Sequence, residues 1–180
     1  MDGSPILAAA AGFALLLGTA SWQKLNGLVE FRELLADYRL VPAVLLRPAA
    51  LVIVIAEAAL AAAWIVAPWH VGVAGVAGVG TTILMAAYGG GIAANLVRGR
   101  SWIDCGCGGG EQLSWVLVAR NAVLAMFALA PLAIADSGRP TWSDLAVSAP
   151  VFAVATLLYL ATRTLLLNTA AMASLGGARR

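Results

Sequence analysis

Cys105 and Cys107, the two cysteines of this 180-residue chain, are separated by one glycine and followed by three more. Two thiols this close have a high effective concentration for each other. A disulfide closed across a single residue makes a small, strained ring. Strain raises the reduction potential, so such a bond suits exchange better than stapling. Gly106, with Gly108, Gly109 and Gly110 behind it, supplies the unusual backbone angles that the ring demands. The thiolate is the attacking species, and the neighbours of the motif act on it in opposite senses. A helix starting just after the motif favours the thiolate, as do Arg98, Arg100 or Arg120 if near; Asp104 opposes it. Two unreactive thiols, or a static clip of a glycine loop, remain the bland readings. A metal site is disfavoured: zinc normally takes four ligands, and two thiolates plus the lone His70 fall short.

The next residues that could do chemistry are polar groups inside apolar stretches, where each is costly. Glu57 falls near the middle of such a stretch, too deep to reach the surface. It must be protonated or hydrogen-bonded, and proton handling and helix bracing stand as equal readings. Arg47, Asn95 and Arg120, the last followed by Asn121, come out at a similar depth near the cysteines. They could line a polar pocket beneath the thiols, or the two arginines could extend to the interface with their stems in lipid.

The elements that carry these groups follow from the hydropathy pattern. Hydrophobic residues make up 62% of the chain and charged residues 11%, with a mean hydropathy of +0.91. A soluble domain carries roughly a quarter charged residues, so lipid is the expected solvent. No basic patch suits nucleic acid. Crossing a bilayer takes about 20 apolar residues in helix. The spans read as Pro5 to about Trp22, about Ala43 to Val66, Val71 to Val97, Trp115 to Ile134 and about Leu145 to Leu167. The first has no basic residue before it and reads as a retained helix rather than a cleaved signal. Pro68-Trp69-His70 separates the second from the third, which puts His70 on the membrane face opposite the cysteines. Between the first two spans, over about 24–41, Leu25, Leu28, Phe31, Leu34, Leu35 and Tyr38 recur at helical spacing, with Lys24, Arg32, Glu33, Asp37 and Arg39 mostly off that stripe. This is an amphipathic helix ended before Pro42, expected along the membrane surface or as a docking face for another protein. In the third span, Ala74-xxx-Gly78, Ala86-xxx-Gly90, Ala87-xxx-Gly91 and Gly90-xxx-Ala94 mark it as the central packing helix, with a bend allowed at Gly89-Gly90-Gly91. The expectation is an all-α, polytopic membrane bundle: one transmembrane domain over 1–180, with about five spanning helices, one interfacial helix and a CGC loop over about 98–114.

With these residues in place, the chain resembles the methylamine utilisation protein E (MauE) family, which is grouped with DoxX-like membrane proteins. Tyr-Arg-Leu-Val-Pro at Tyr38 to Pro42, Glu57 in the second span and Asp-Cys-Gly-Cys-Gly-Gly-Gly at Asp104 to Gly110 carry the likeness, which covers about residues 10 to 135. The resemblance implies a membrane component of thiol–disulfide chemistry, working with a thioredoxin-like partner in protein maturation. It also implies a layout akin to vitamin K epoxide reductase and disulfide bond protein B, which pass electrons between protein thiols and a quinone. Both of those carry a Cys-x-x-Cys and a second cysteine pair. This chain has neither, so shuttle cysteines would have to come from the partner.

Orientation sets two rules against each other. Lys24, Arg32, Arg39, Arg47, Arg98, Arg100, Arg179 and Arg180 fall toward one face of a five-span bundle and Arg139 toward the other. The excess of basic residues on cytoplasmic loops then puts the CGC loop inside, whereas oxidative chemistry belongs outside. The expected setting is a bacterial-type inner membrane with the loop on the extracytoplasmic side. The expected function is exchange of electrons by Cys105 and Cys107 between a thioredoxin-like protein and a membrane acceptor such as a quinone. Its rivals are a non-catalytic subunit that recruits a redox partner, and a small transporter using Glu57.

Overall fold

The computed structural model describes residues 4–103 and 112–133, and beyond these only Ser143, Ala146, Pro150 and Ala153. The described elements are helical, without a β-strand among them, and they form a membrane helical bundle. The first helix, α1, runs Ser4–Asn26. Gly27 breaks it, and a short second helix, α2, follows at Leu28–Tyr38. After Pro42 a single 3-10 turn leads into α3, Leu46–Val66, with Pro48 in its first turn, where the missing N–H costs nothing. Ala67–Trp69 turns the chain into α4, Val71–Val97, and α5 covers Trp115–Ala133. Three stretches are long and apolar enough to span a bilayer: Ile6–Asn26, Ala43–Trp69 and Val71–Val97. The apolar part of α5, Trp115–Ala130, is shorter. The third span thus has the expected bounds, and the first runs one turn further than the hydropathy suggested. The fifth expected span lies outside the described residues apart from Ala146, Pro150 and Ala153.

Successive contacts show antiparallel packing. On α1 and α3, the Phe13 and Trp64 rings stack at 4.9 Å, Gly18 faces Ala61, and the Ser21 hydroxyl donates to the Val54 carbonyl at 3.3 Å. Between α3 and α4, the Trp64 indole N–H donates to Thr81 Oγ1 at 2.8 Å. Burial on α3 falls on Ala50, Val54, Glu57, Ala61 and Trp64, a stripe spaced alternately by four and three residues, as one helix face requires. One end of the bundle therefore gathers the end of α1, all of α2, the start of α3, the end of α4 and the start of α5. We call it the loop end, because the segment with the cysteines joins α4 to α5 there.

Among the described elements α4 packs most extensively, chiefly against α5. The close approach is at Gly78, where a Cβ would stand 2.5 Å from the Ala128 carbonyl oxygen. One turn on, the Thr82 hydroxyl reaches both Gly78 O, at 2.9 Å, and Ala125 O across the interface, at 3.1 Å. Gly89, three turns from Gly78 on the same face, meets Asn121 Cβ at 3.4 Å. Helix α4 continues through Gly89-Gly90-Gly91. Gly90 is exposed with nothing within 4 Å, so the small-residue pairs built on it are not contacts here.

The amphipathic segment differs from expectation in two ways. Its helix is Leu28–Tyr38, and Lys24 belongs to α1. Its apolar stripe, Phe31 with Leu28, Leu34 and Leu35, is covered by Ala50, Ile53 and Val54 of α3. The chain's own second span thus buries Phe31 and meets one side of that face, while Leu28, Leu34 and Leu35 stay half-buried.

Gly78→Ala should lower thermal stability in detergent by about 1–3 kcal/mol, because backbone stands where the methyl must go. Gly90→Ala should be neutral or stabilising by up to about 1 kcal/mol. Equal losses at the two positions would show that α4 and α5 do not pack through Gly78.

Candidate functional site

Two polar layers lie inside the bundle. The deeper one centres on Glu57, eleven residues into α3 and so about 16 Å from its start. Its Oε1 accepts from the Lys24 ammonium at 2.6 Å and from the Tyr88 hydroxyl at 2.6 Å. The Lys24 and Glu57 side chains are 10% and 1% exposed, so the ion pair is buried. The direction of side chains on a helix explains how they meet, since each leans toward the N-terminus of its own helix. Lys24 sits in the last turn of α1 and reaches back into the membrane. Glu57, on the antiparallel α3, leans toward the loop end and meets it. The ammonium also lies 5.3 Å from the Phe31 ring centroid and 5.4 Å from that of Tyr88. Both rings add cation–π attraction at a site that water does not screen. The second carboxylate oxygen, Oε2, is buried without a hydrogen-bond partner.

The second layer is at the loop end. Asn95 is fully buried two residues before α4 ends. Its side-chain amide donates to Gly91 O at 3.1 Å, and its Oδ1 is buried without a partner. Asn121 is buried on α5, its amide donating to Leu117 O at 2.8 Å. Arg120, beside it, is half-buried. Arg47 is exposed on the first turn of α3, so its charge stands outside this buried layer.

Asp104, Cys105, Gly106 and Cys107 lie outside the described residues, but the ends of their loop do not. Ile103 and Leu113 are buried, and the Leu113 N–H donates to Ile103 O at 3.1 Å. Both pack in one cluster with Ile92 of α4 and Leu117 of α5, flanked by Tyr38 of α2. The two described ends of this segment thus meet each other on the bundle. Cys105, two residues past Ile103, is held within about 7 Å of it by covalent reach alone. His70 caps the far end of α4, about 40 Å of helix away.

The expected site residues therefore divide. Asn95 and Arg120 lie at the loop base, Glu57 forms a separate mid-membrane cluster, and Arg47 stands apart. Sequence reasoning missed Lys24 and Tyr88 as partners of Glu57. A signal for Lys24 was present: Ala10, Phe13, Leu17, Ser21 and Lys24 recur at three or four residues, and all are buried. Lys24 continues an apolar stripe on one span, and Glu57 is the lone acid on the next.

The family model described as "Methylamine utilisation protein MauE" matches residues 3–134. The methylamine utilization protein MauE of Paracoccus versutus is 37% identical over 150 residues, covering 81% of this chain and 78% of its own length. That of Paracoccus denitrificans is 38% identical over 120 residues, 65% of this chain and 62% of the relative. That of Methylorubrum extorquens is 39% identical over 117 residues, 63% and 61% of the two chains. The chain thus covers about three fifths of the latter two. No solved structure matches it.

Removing one partner of the buried pair should be costly, because it leaves an uncompensated charge in the bundle. Glu57→Ala or Lys24→Ala should lose about 3–5 kcal/mol in thermal unfolding, while the double variant Lys24→Met/Glu57→Met should recover most of it. Single variants as stable as the parent would mean the two charges do not depend on each other.

Proposed function

Because the chain belongs to the methylamine utilisation protein MauE family, we propose that it is a membrane component of thiol–disulfide exchange serving protein maturation in methylamine utilisation. The observation that carries this reading is the meeting of the loop's two ends on the bundle. A Cys-Gly-Cys pair is joined at both ends to residues buried in the bundle and tied by a backbone hydrogen bond. Ends tied at the bundle keep the pair tethered near the Asn95 layer by covalent reach. In the exchange, the thiolate of one cysteine attacks a disulfide sulfur of a thioredoxin-like partner and forms a mixed disulfide. The second cysteine then displaces the partner's remaining sulfur, leaving a partner dithiol and a Cys105–Cys107 disulfide. Run backwards, the same steps oxidise the partner and leave a Cys105–Cys107 dithiol, and this is the direction that supplies electrons to a membrane acceptor. Which cysteine attacks first depends on which sulfur the partner can reach.

A quinone is the proposed membrane acceptor; it takes up the two electrons and two protons released when a dithiol closes. The loop-end layer fits its reduced form. Asn95 Oδ1 is a buried acceptor without a partner, suited to a quinol hydroxyl, whereas the amide N–H of Asn95 is already engaged by Gly91 O. On this reading the loop faces the extracytoplasmic side, where the partner works.

The test is trapping in intact cells with a membrane-impermeant thiol label, with and without reductant. Labelling of Cys105 and Cys107 that appears only after reduction supports an outward-facing disulfide. Cys105→Ser and Cys107→Ser should each abolish maturation of the substrate protein while leaving the chain folded and inserted. Full activity in the double serine variant would falsify the proposal, and labelling only after permeabilisation would remove the extracytoplasmic partner.

A further inference from the structure

Arg39, in the Tyr-Arg-Leu-Val-Pro segment, closes α2 in a backbone conformation that arginine seldom adopts. Its φ of 49° and ψ of 38° are left-handed, and it is the one non-glycine residue with positive φ among those described. Glycine is the usual occupant of such a position at a helix end, because a Cβ crowds the backbone there. A residue that keeps a disfavoured backbone gives reason to ask what its side chain does. That side chain is exposed and forms no salt bridge among the described residues.

Arg39 lines an open groove of about 400 Å³ whose other walls are Leu40, Val41, Pro42 and Leu46, with Ala36 and Ala43. Apart from Arg39, every wall is apolar. The groove lies where α2 ends and α3 enters the bundle, so it straddles the boundary between headgroups and hydrocarbon. Arg47, next in sequence to the groove residue Leu46, is a second exposed positive charge at this end of α3.

We propose that this groove binds an anionic phospholipid, its phosphate on the Arg39 guanidinium and its acyl chain along the apolar walls. The guanidinium presents a planar fork of N–H donors that matches two phosphate oxygens, and a basic residue at a charged bilayer surface is attracted to anionic headgroups. Free phosphate would share the guanidinium but leave the apolar walls in water, so the lipid is the occupant that uses both halves of the site. The proposal stands apart from the thiol chemistry.

The fold itself supplies a clean variant. Arg39→Gly removes the guanidinium and relaxes the backbone, so it should fold at least as well as the parent. Full-length protein would be placed in nanodiscs of phosphatidylcholine with increasing phosphatidylglycerol, and bound lipid counted by native mass spectrometry beside thermal unfolding. The parent should prefer phosphatidylglycerol. Arg39→Gly should weaken that preference about fivefold, and Arg39→Lys should retain part of it. Arg32→Ala, which removes a charge from the exposed side of α2 outside the groove, should keep most of it. Inorganic phosphate at matched concentration should not displace the lipid. An unchanged preference in Arg39→Gly overturns the site, as does an equal loss in Arg32→Ala, which would reduce the effect to net charge. Full displacement by inorganic phosphate would overturn the lipid as occupant.

Discussion

A lysine and a glutamate joined at 2.6 Å in the middle of a membrane bundle constrain everything around them. Each charge costs several kcal/mol to take out of water, and lipid offers nothing in return. Neither can stand alone, so α1 and α3 must bring Lys24 and Glu57 together. That requirement admits one antiparallel register, the one in which Ser21 lies by Val54 and Phe13 stacks on Trp64. Apolar packing alone specifies register poorly between helices as rich in alanine as these, because sliding by a turn exchanges one small side chain for another. A buried polar pair lifts that degeneracy. The Tyr88 hydroxyl extends the same constraint to α4.

The pair also reaches the loop end through contiguous packing. Phe31 of α2 lies against the Lys24 ammonium and between Ala50 and Val54 of α3, which fixes the first half of α2. At its other end, Tyr38 and Leu40 approach Gly91 of α4, where an added Cβ would stand 3.7 and 3.5 Å from them. Tyr38 then flanks the cluster that holds Ile103 and Leu113. A methyl at 91 would make ordinary contact with both, while a longer side chain would push α2 away from the base of the cysteine loop. Gly91 thus has a concrete role at a helix crossing, while Gly90, beside it, faces open space.

The sequence showed the bundle more readily than the partnerships inside it. Span boundaries follow from length and the absence of charge, and Val71 to Val97 could be read off to the residue. Glu57 was legible as a buried acid needing a partner. Its partner was hidden because Lys24 sits beside Arg32, Glu33 and Asp37 in the sequence and reads as one more charge of an amphipathic helix. The break at Gly27 assigns it to α1, and only the crossing of α1 over α3 turns it inward. The covering of α2 by α3 was unreadable for a related reason: an apolar stripe has the same spacing whether lipid, another protein or the same chain covers it. Asn95 could be placed near the cysteines by depth, but not its unpartnered Oδ1, which depends on the Gly91 carbonyl taking its amide.

The separation of the two polar layers bears on what kind of protein this is. A carboxylate that carries a solute or a proton across a bilayer needs access from both sides. Glu57 is engaged by an ammonium and a phenol on one oxygen. On the side away from the loop, Trp64 is bonded to Thr81 and stacked on Phe13. Beyond that, the described interior is a closed cluster of Ala10, Ala67, Ala74, Ala77 and Ala128. The mid-membrane charge thus neutralises itself and braces three helices, and the layer below it is packed shut. At the loop end Asn95 Oδ1 is left with an unmet demand, and Asn121 and Arg120 lie with it beside the base of the cysteine loop. The thiol exchange proposed for this end requires no passage through the core.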